Sequence, residues 1–556
     1  MRPLAGLSRR NLGPELVAGV TLLAIAVPLN IGYAQIAGLP PTAGLYALIL
    51  PGIVFALVAS TRQVVASPDA AAAALVASSL GGLAAAGSAD FVTLALAQAV
   101  LCGVFFVLFS VFKLGFLANF LSKPILVGFV GGLALDILVS QVAKMLGVSI
   151  DSGAEFVDKL TQLIGGLGKT NTWSLTIALG SLVLLVGGRR LARAVPWALV
   201  VLVLMTVLDV LAGLENQGVK VLGKVEAGAP TLTWPVIDLG SWVALIPSAL
   251  ALTLVTTAEG LLVARSYGEK RNYPTSPNRD LMAFGLGNIA AGVTGGFSVG
   301  SSTSRTAAMD QQGSRTQLPS IVAAVGTLLL VLFGTALLEH IPSPAIGAIV
   351  AVAILPLLGI REFRRLWSQD RAEFAVGAVC FLGALLLGPI AGIALAFILS
   401  LIVLASRAAT PPVAVLSGAG IEDGTLTPVS DGQPLTGPGV VILRFAAPLF
   451  FANSTRLGDA ARAAVHAGQP GEVRHLVLDL EAVTDVDVTG AENLEHLKAW
   501  LTTQQIELGY SRIRPDTQAR LEHFGLVDGA GLYRTNREAL ARLTATPSTS
   551  ETRPGL

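Results

Sequence analysis

Gly296-Phe297-Ser298-Val299-Gly300-Ser301-Ser302-Thr303-Ser304-Arg305-Thr306-Ala307-Ala308 lies between long apolar segments, yet it is crowded with hydroxyls and carries an arginine. Its two glycines precede a run that reads as a helix start, and the Ser and Thr residues are of the types that cap one. A helix N-terminus in an apolar setting points unpaired N–H groups and about half a positive charge outward. With Arg305 one turn in, the stretch reads as a cradle for an anion. The rest of the chain then reads as the structure that carries this cradle across a membrane.

The surrounding sequence supports a membrane protein. Of 556 residues 53% are hydrophobic and only 13% charged, against about 25% charged in soluble domains; mean hydropathy is +0.70. The 60 glycines suit close helix packing in lipid. A net charge of +1 gives no reason to expect nucleic acid as a partner. Cys102 and Cys380 both sit in apolar segments, with no metal-ligand spacing. Pro28, Asn30 and Tyr33 interrupt the first hydrophobic run, so a cleaved signal peptide is not expected.

Apolar runs recur near 14–36, 41–60, 68–86, 91–112, 120–141, 173–188, 195–213, 242–265, 279–294, 302–312, 318–338, 344–358, 372–388 and 390–406. Several fall short of the ~20 residues a full span needs. Lys and Arg concentrate at every second connection: Arg9 and Arg10, Arg62, Lys113, Arg189 to Arg193, Lys270 to Arg279, Arg315, Arg361 to Arg365, and Arg407. Positive-inside then places both termini in the cytoplasm. Fourteen segments divide into seven and seven, and an odd-numbered repeat must sit inverted relative to its partner. The third segment of each half is the short one, led by Ser67-Pro68-Asp69 or by the Ser/Thr run. Interrupted segments at matching positions of two halves point to a transporter's binding site.

Ionisable residues at lipid depth cost about 2.5–3.5 kcal/mol each on insertion scales, so each needs a reason. Asp209 reads as a segment-end residue and Asp136 as one member of a structural pair. Asp310 follows Arg305 in the tenth segment. Glu259 follows Thr253, Thr256 and Thr257 on a polar helix side, where a carboxyl can take up a proton or bind a cation; the competing reading is a salt bridge to Arg305. Asp69 is either an N-terminal cap or a protonatable group.

After Arg407 the character changes. Residues 408–438, rich in Gly, Asp and Pro, read as a linker. Strands at Val440–Phe445, 475–480 and 506–510 alternate with helices at Ser454–Ala467, 489–503 and 514–524, a small soluble α/β domain over 439–543. The tail 544–556 reads as disordered. Residues 1–407 form the transmembrane domain on this reading.

Several of these stretches resemble the signatures of one family. Pro28-Leu29-Asn30-Ile31-Gly32-Tyr33-Ala34-Gln35-Ile36-Ala37-Gly38-Leu39-Pro40-Pro41-Thr42-Ala43-Gly44-Leu45-Tyr46 is similar to the signature of the sulfate permease (SulP) anion-transporter family. So are Ser60-Thr61-Arg62-Gln63, the run from Ser302 to Ala307, and Gly313-Ser314-Arg315-Thr316-Gln317. The C-terminal part resembles a STAS domain, with Asp487-Val488-Thr489-Gly490 at its strand-to-helix turn. Within the family the likeness is greatest to prokaryotic members described as proton-coupled fumarate transporters. The resemblance implies a core bundle moving against a gate bundle in a seven-plus-seven inverted repeat, and a homodimer. It implies an anion site lined by Tyr33 from segment one, by Pro68, Asp69 and Ala70 from segment three, and by Ser302, Thr303, Ser304 and Arg305 from segment ten, with Glu259 at the ion-coupling position. Two departures stand out. Leu29 occupies a position where many relatives carry glutamine, and Asp69 one where many carry a small or apolar residue.

The expectation is therefore an α-helical polytopic inner-membrane protein with a cytoplasmic α/β domain, acting as a proton-coupled dicarboxylate (fumarate-like) symporter. No cofactor is expected beyond a coupling ion, H+ or alternatively Na+. Alternatives are a sodium-coupled sulfate or bicarbonate symporter, an uncoupled anion channel, or a membrane-anchored regulatory protein working through the STAS-like domain and its cytoplasmic regulators. In the last case Thr489 is a phosphoacceptor; it reads equally as a helix cap. No ATP-binding loop and no catalytic constellation marks an enzyme.

Overall fold

Apolar runs bounded by capping residues set the helices. Ser88 caps the fourth segment by accepting from the Phe91 N–H at 3.2 Å. Pro41 and Pro124 open the second and fifth at first-turn positions, where no N–H is missed. The computed structural model describes residues 4, 6–9, 11–119, 122–151, 154–192, 195–417, 426–428, 435–469, 471–528 and 530–545. It divides into units Met1–Ser400 and Leu401–Leu556.

In chain order the first unit contains α1 (Leu12–Ile36), α2 (Pro41–Val58), β1 (Ala66–Ser67), α3 (Ala70–Leu80), α4 (Ala89–Val111), α5 (Lys123–Leu146), α6 (Phe156–Gly166), α7 (Thr172–Leu191) and α8 (Trp197–Ala212). Then follow α9 (Leu239–Arg271), α10 (Pro277–Val293), β2 (Gly300–Ser301), α11 (Thr303–Gln311), α12 (Leu318–Phe333), α13 (Ala336–Glu339), α14 (Ser343–Ile354), α15 (Ile360–Gln369), α16 (Arg371–Leu386) and α17 (Gly388–Ala409), the last running on into the second unit. All fourteen expected segments are helices, as α1–α5, α7–α12, α14, α16 and α17. The short helices α6 and α15 were not expected, because they lie in connections, and α13 splits off the end of the run expected at 318–338. Among the described residues six helical stretches are individually long and apolar enough to cross a membrane. The others are shorter or bent, as a core of packed half-helices requires.

The packing carries the inverted repeat that residue identities do not show. Counting segments, the first packs on the eleventh (α1 on α12) as the eighth packs on the fourth (α9 on α4). The second packs on the eleventh (α2 on α12) as the ninth packs on the fourth (α10 on α4), and the fifth on the thirteenth (α5 on α16) as the twelfth on the sixth (α14 on α7). Every pair maps onto its partner by a shift of seven. Glycine permits the closest crossings. A Cβ on Gly103 of α4 would stand 2.7 Å from the Gly285 carbonyl of α10, and one on Gly132 of α5 would stand 2.5 Å from the Phe381 carbonyl of α16.

The second unit is a six-stranded sheet in the order β4-β3-β5-β6-β7-β8, with β3 Val413–Ser417, β4 Thr427–Pro428, β5 Val440–Phe445, β6 His475–Asp479, β7 Glu507–Ser511 and β8 Gly531–Tyr533. β5 to β8 are parallel and β3 is antiparallel to β5. The helices are α18 (Ser454–Ala467), α19 (Val488–Thr503), α20 (Pro515–His523) and α21 (Asn536–Thr544). Alternate strand residues fill both faces: Val441, Leu443, Leu476 and Leu478 in one apolar cluster, Val440, Ile442 and Val477 in the other. The stretch expected as linker supplies β3. Its Val-Ala-Val-Leu run sits behind Pro411-Pro412, which masked a strand whose antiparallel partner is distant in sequence. The last strand and α21 were likewise not expected. Residues 546–556 of the expected tail lie outside the described residues.

Candidate functional site

Two chain breaks meet here. β1 and β2 pair antiparallel, Ala66 with Ser301 and Ser67 with Gly300. Each strand ends where a half-helix begins, so the pairing sets the N-termini of α3 and α11 side by side. Side chains lock the crossing. The Val65 N–H donates to Thr306 Oγ1 at 3.0 Å, and the Ser302 N–H donates to the Val65 carbonyl at 3.0 Å. Asn288 of α10 brackets Val299, donating from Nδ2 to its carbonyl at 2.9 Å and accepting from its N–H at 3.0 Å. Gln317 Nε2 donates to the Val64 carbonyl at 2.8 Å.

Arg305 occupies the centre and is 1% exposed. Its Nε donates to Ser302 Oγ at 2.7 Å, and its terminal nitrogens donate to Asn30 Oδ1 of α1 and to the Pro68 carbonyl before α3. The Tyr33 ring lies 5.6 Å from the guanidinium. All these acceptors are neutral, and among the described residues no carboxylate stands within ion-pair distance. The guanidinium is thus fixed in place without a paired carboxylate, while the start of α11 adds about half a positive charge and that of α3 is offset by its Asp69 cap. That arrangement attracts an anion. Thr303 and Ser304 are exposed at the start of α11, while Ser302 and Ala70 are buried. Ser302 caps α11, accepting from the Arg305 N–H at 3.4 Å.

Asp69 is the cap of α3 and accepts from the Ala72 N–H at 2.8 Å. Its other oxygen lies against Gly300, beside Thr256 of α9. Glu259 sits three residues along α9 from Thr256 and is partly exposed. Among the described residues it makes no hydrogen bond or ion pair, so the competing salt bridge to Arg305 is not formed. The hydroxyls of Ser67, Thr257 and Ser301 are buried at the crossing without a partner.

The remaining charged candidates lie elsewhere. Asp310 pairs with Lys270 at 2.8 Å, Arg271 at 2.5 Å and Arg315 at 3.6 Å, joining the ends of α9 and α11. Asp136 pairs with Lys159 of α6 at 2.8 Å. Asp209 lies near the end of α8, as expected. Thr489 is exposed in the first turn of α19, and it is Asp487 that caps this helix, accepting from the Gly490 N–H at 2.6 Å. Asn30 was read only as a break in the first hydrophobic run and not as a site residue, although it holds Arg305. Two signature loops are structural. Asp280 accepts from the N–H groups of Ser60 and Thr61, and Glu15 accepts from the Ser314 hydroxyl and the Arg315 N–H.

The comparisons agree with this architecture. The model of the sulfate permease family matches residues 12–380, and that of the STAS domain residues 435–539. The chain belongs to the sulfate permease family. This sulfate permease family member is 34% identical to a probable sulfate transporter of Mycobacterium tuberculosis over 527 residues, 94% of this chain and 93% of the relative. It is 28% identical to probable sulfate transporter 3.3 of Arabidopsis thaliana, over 95% of this chain and 88% of that one. Its fold matches the murine Solute Carrier 26 family member A9 anion transporter in the inward-facing state, with TM-score 0.88 and 22% identity over 97% of this chain and 92% of that one. The transmembrane domain of a cyanobacterial bicarbonate transporter matches with TM-score 0.60 and 23% identity, over 71% of this chain and 98% of that one. The protein is a helical, multi-pass membrane transporter of small anions with a C-terminal STAS domain.

Proposed function

We propose that this chain is a secondary active symporter of a small divalent oxyanion, with sulfate as the substrate and protons as the coupling ion. The observation that carries the reading is the Arg305 guanidinium, buried among neutral acceptors where the two half-helix starts converge. A divalent anion completes its charge, since Arg305 makes no ion pair with a carboxylate among the described residues. The names of the relatives reported above favour sulfate over the fumarate-like substrate expected from the signature. Tyr33, Pro68, Asp69, Ala70 and Ser302 to Arg305 surround the anion in this proposal, and Glu259, unpaired on α9, takes up the proton. Movement of the half-helix bundle against the other segments exposes the site alternately. The protein works in the plasma membrane as a homodimer with cytoplasmic termini, and Thr489 offers regulators an exposed hydroxyl.

Two further readings each have one observation in their favour. Buried hydroxyls without a partner on β1, β2 and α9, those of Ser67, Ser301 and Thr257, favour Na+ as the coupling ion. Leu29 and Asp69 suit a larger dicarboxylate that enters with protons.

Uptake of radiolabelled sulfate into proteoliposomes tests all three. Accumulation that rises with an inward proton gradient and is lost in Glu259→Gln, with exchange of sulfate for sulfate retained, supports the proposal. Dependence on sodium instead transfers the coupling to Na+. Fumarate uptake that sulfate fails to inhibit restores the dicarboxylate.

A further inference from the structure

A cavity of about 680 Å3 opens at the C-terminal ends of α1, α3 and α5 and reaches the start of α14. Ala74 lines it and stands five residues along α3 from Asp69, about 7.5 Å at 1.5 Å per residue. Gln35 lines it from α1, two residues beyond Tyr33. The cavity therefore lies close along both helices to the Arg305 crossing, on the side away from the cytoplasm if the termini are cytoplasmic.

Its lining carries three lysines, Lys144, Lys159 and Lys220, against two carboxylates, Asp136 and Glu155. Asp136 is consumed by Lys159 at 2.8 Å. Lys144 Nζ donates to the Gln35 side-chain oxygen at 3.0 Å, and Lys220 Nζ donates to Ser149 Oγ at 2.6 Å. Both side-chain nitrogens are thus held by neutral oxygens, and among the described residues neither makes an ion pair. Gln141, one turn before Lys144, also lines the cavity. It is 0% exposed, and both its amide oxygen and its amide nitrogen lack partners. Ser174 lines the same cavity with a buried, unpartnered hydroxyl. Buried polar groups are normally satisfied, and an unmade bond is costly. Two such side chains in a cavity whose lining also carries Lys144 and Lys220, neither in an ion pair among the described residues, suit a polar, negatively charged occupant.

We propose that this vestibule is a second anion-binding site, in which Lys144 and Gln141 receive a small oxyanion before it passes to Arg305. The Lys144 ammonium supplies the charge, and the Gln141 and Ser174 side chains turn to donate to the anion's oxygens. The inference rests on the reading that the chain carries such anions. It adds a recruiting step that raises the local substrate concentration at the mouth of the path.

Equilibrium dialysis of the solubilised full chain against radiolabelled sulfate tests it. Arg305→Ala retains sulfate binding, and the added substitution Lys144→Gln removes it; loss of all binding in a folded Arg305→Ala protein overturns the vestibule site. Should Arg305→Ala fail to fold, Lys144→Gln alone decides. It raises the KM for sulfate uptake from the vestibule side about fivefold, the size of a partly exposed charge contact, with kcat unchanged. Lys144→Arg restores the KM, and Gln141→Leu raises it in the same sense. An unchanged KM, or a fall in kcat alone, overturns the proposal. Arg305-independent binding without any sulfate uptake would refute the transport reading and leave the vestibule site standing. Uptake without such binding would do the reverse.

Discussion

The starts of α3 and α11 are built on one plan and charged in opposite ways. Each follows a two-residue strand, each strand pairs with the other, and each helix begins with a side-chain cap. α3 is capped by the carboxylate of Asp69, and α11 by the hydroxyl of Ser302 with Arg305 one turn on. Asp69 faces Gly300 and α9, where Glu259 lies, whereas Arg305 reaches to α1 and the Pro68 carbonyl. A symmetric backbone thus presents a cation to one side of the crossing and carboxylates to the other.

Arg305→Ala breaks the comparison most severely. It removes the only fixed positive side chain at the crossing among the described residues and leaves the Pro68 carbonyl and Asn30 without their donor. Truncating one member of a buried charged contact costs roughly 2–5 kcal/mol, so sulfate uptake at low concentration falls on the order of 100-fold, checked by initial rates in proteoliposomes.

Gly300→Ala tests how tightly the two halves meet. The new Cβ would overlap Asp69 Oδ2 and stand 3.2 Å from Thr256 Oγ1. Overpacking of this kind costs about 1–3 kcal/mol, seen as a lower melting temperature in detergent; no change would mean that Asp69 turns away freely. Asp69→Asn keeps the cap acceptor and removes the charge. It moves sulfate affinity in the direction opposite to Arg305→Ala, tightening it about fivefold for roughly 1 kcal/mol of relieved repulsion, as read by competition binding. Ser302→Ala removes the α11 cap and the Arg305 Nε acceptor together. A cap is worth about 1 kcal/mol, so uptake falls several-fold, and Ser302→Thr restores it.

Asp238, at the start of α9, supplies the control with the same device on an exposed loop. The Ser241 hydroxyl and then the Ser241 N–H hold its carboxyl below the usual value of 3.8. A depressed folded value means that the stabilisation is present at pH above the unfolded value and is lost as pH falls through the folded one. Asp238→Ala therefore lowers the melting temperature slightly at pH 7, and the difference closes in acid. This is the smallest effect of the five.

Much of this was legible in the residues. The Ser/Thr run and Arg305 marked α11, and Ser67-Pro68-Asp69 marked α3, because half-helices need caps and stop short of a span. In the second unit, Val440–Phe445 and Ser454–Ala467 fall at their expected limits, since alternation and helical period are local signals. Asn30 was missed because one amide in an apolar helix has no pattern around it; its role depends on a partner 275 positions away. Of the polar stripe of Asp136, Ser140 and Lys144 on α5, only Asp136 was read from the sequence, as one member of a structural pair. The cavity it lines is closed by helices from distant parts of the chain.

Composition, segment length and the alternation of Lys and Arg determined a polytopic membrane protein with a small α/β domain. Each of these signals is a transfer free energy or a backbone preference that a residue carries with it. The shift of seven in which segment packs on which, the neutral acceptors around Arg305, the absence of a Glu259–Arg305 pair among the described residues and the cavity at the ends of α1, α3 and α5 were decided by tertiary structure alone. Each depends on which buried groups meet across long stretches of chain, and only packing determines whether a charge in the interior finds a counter-charge or keeps its own.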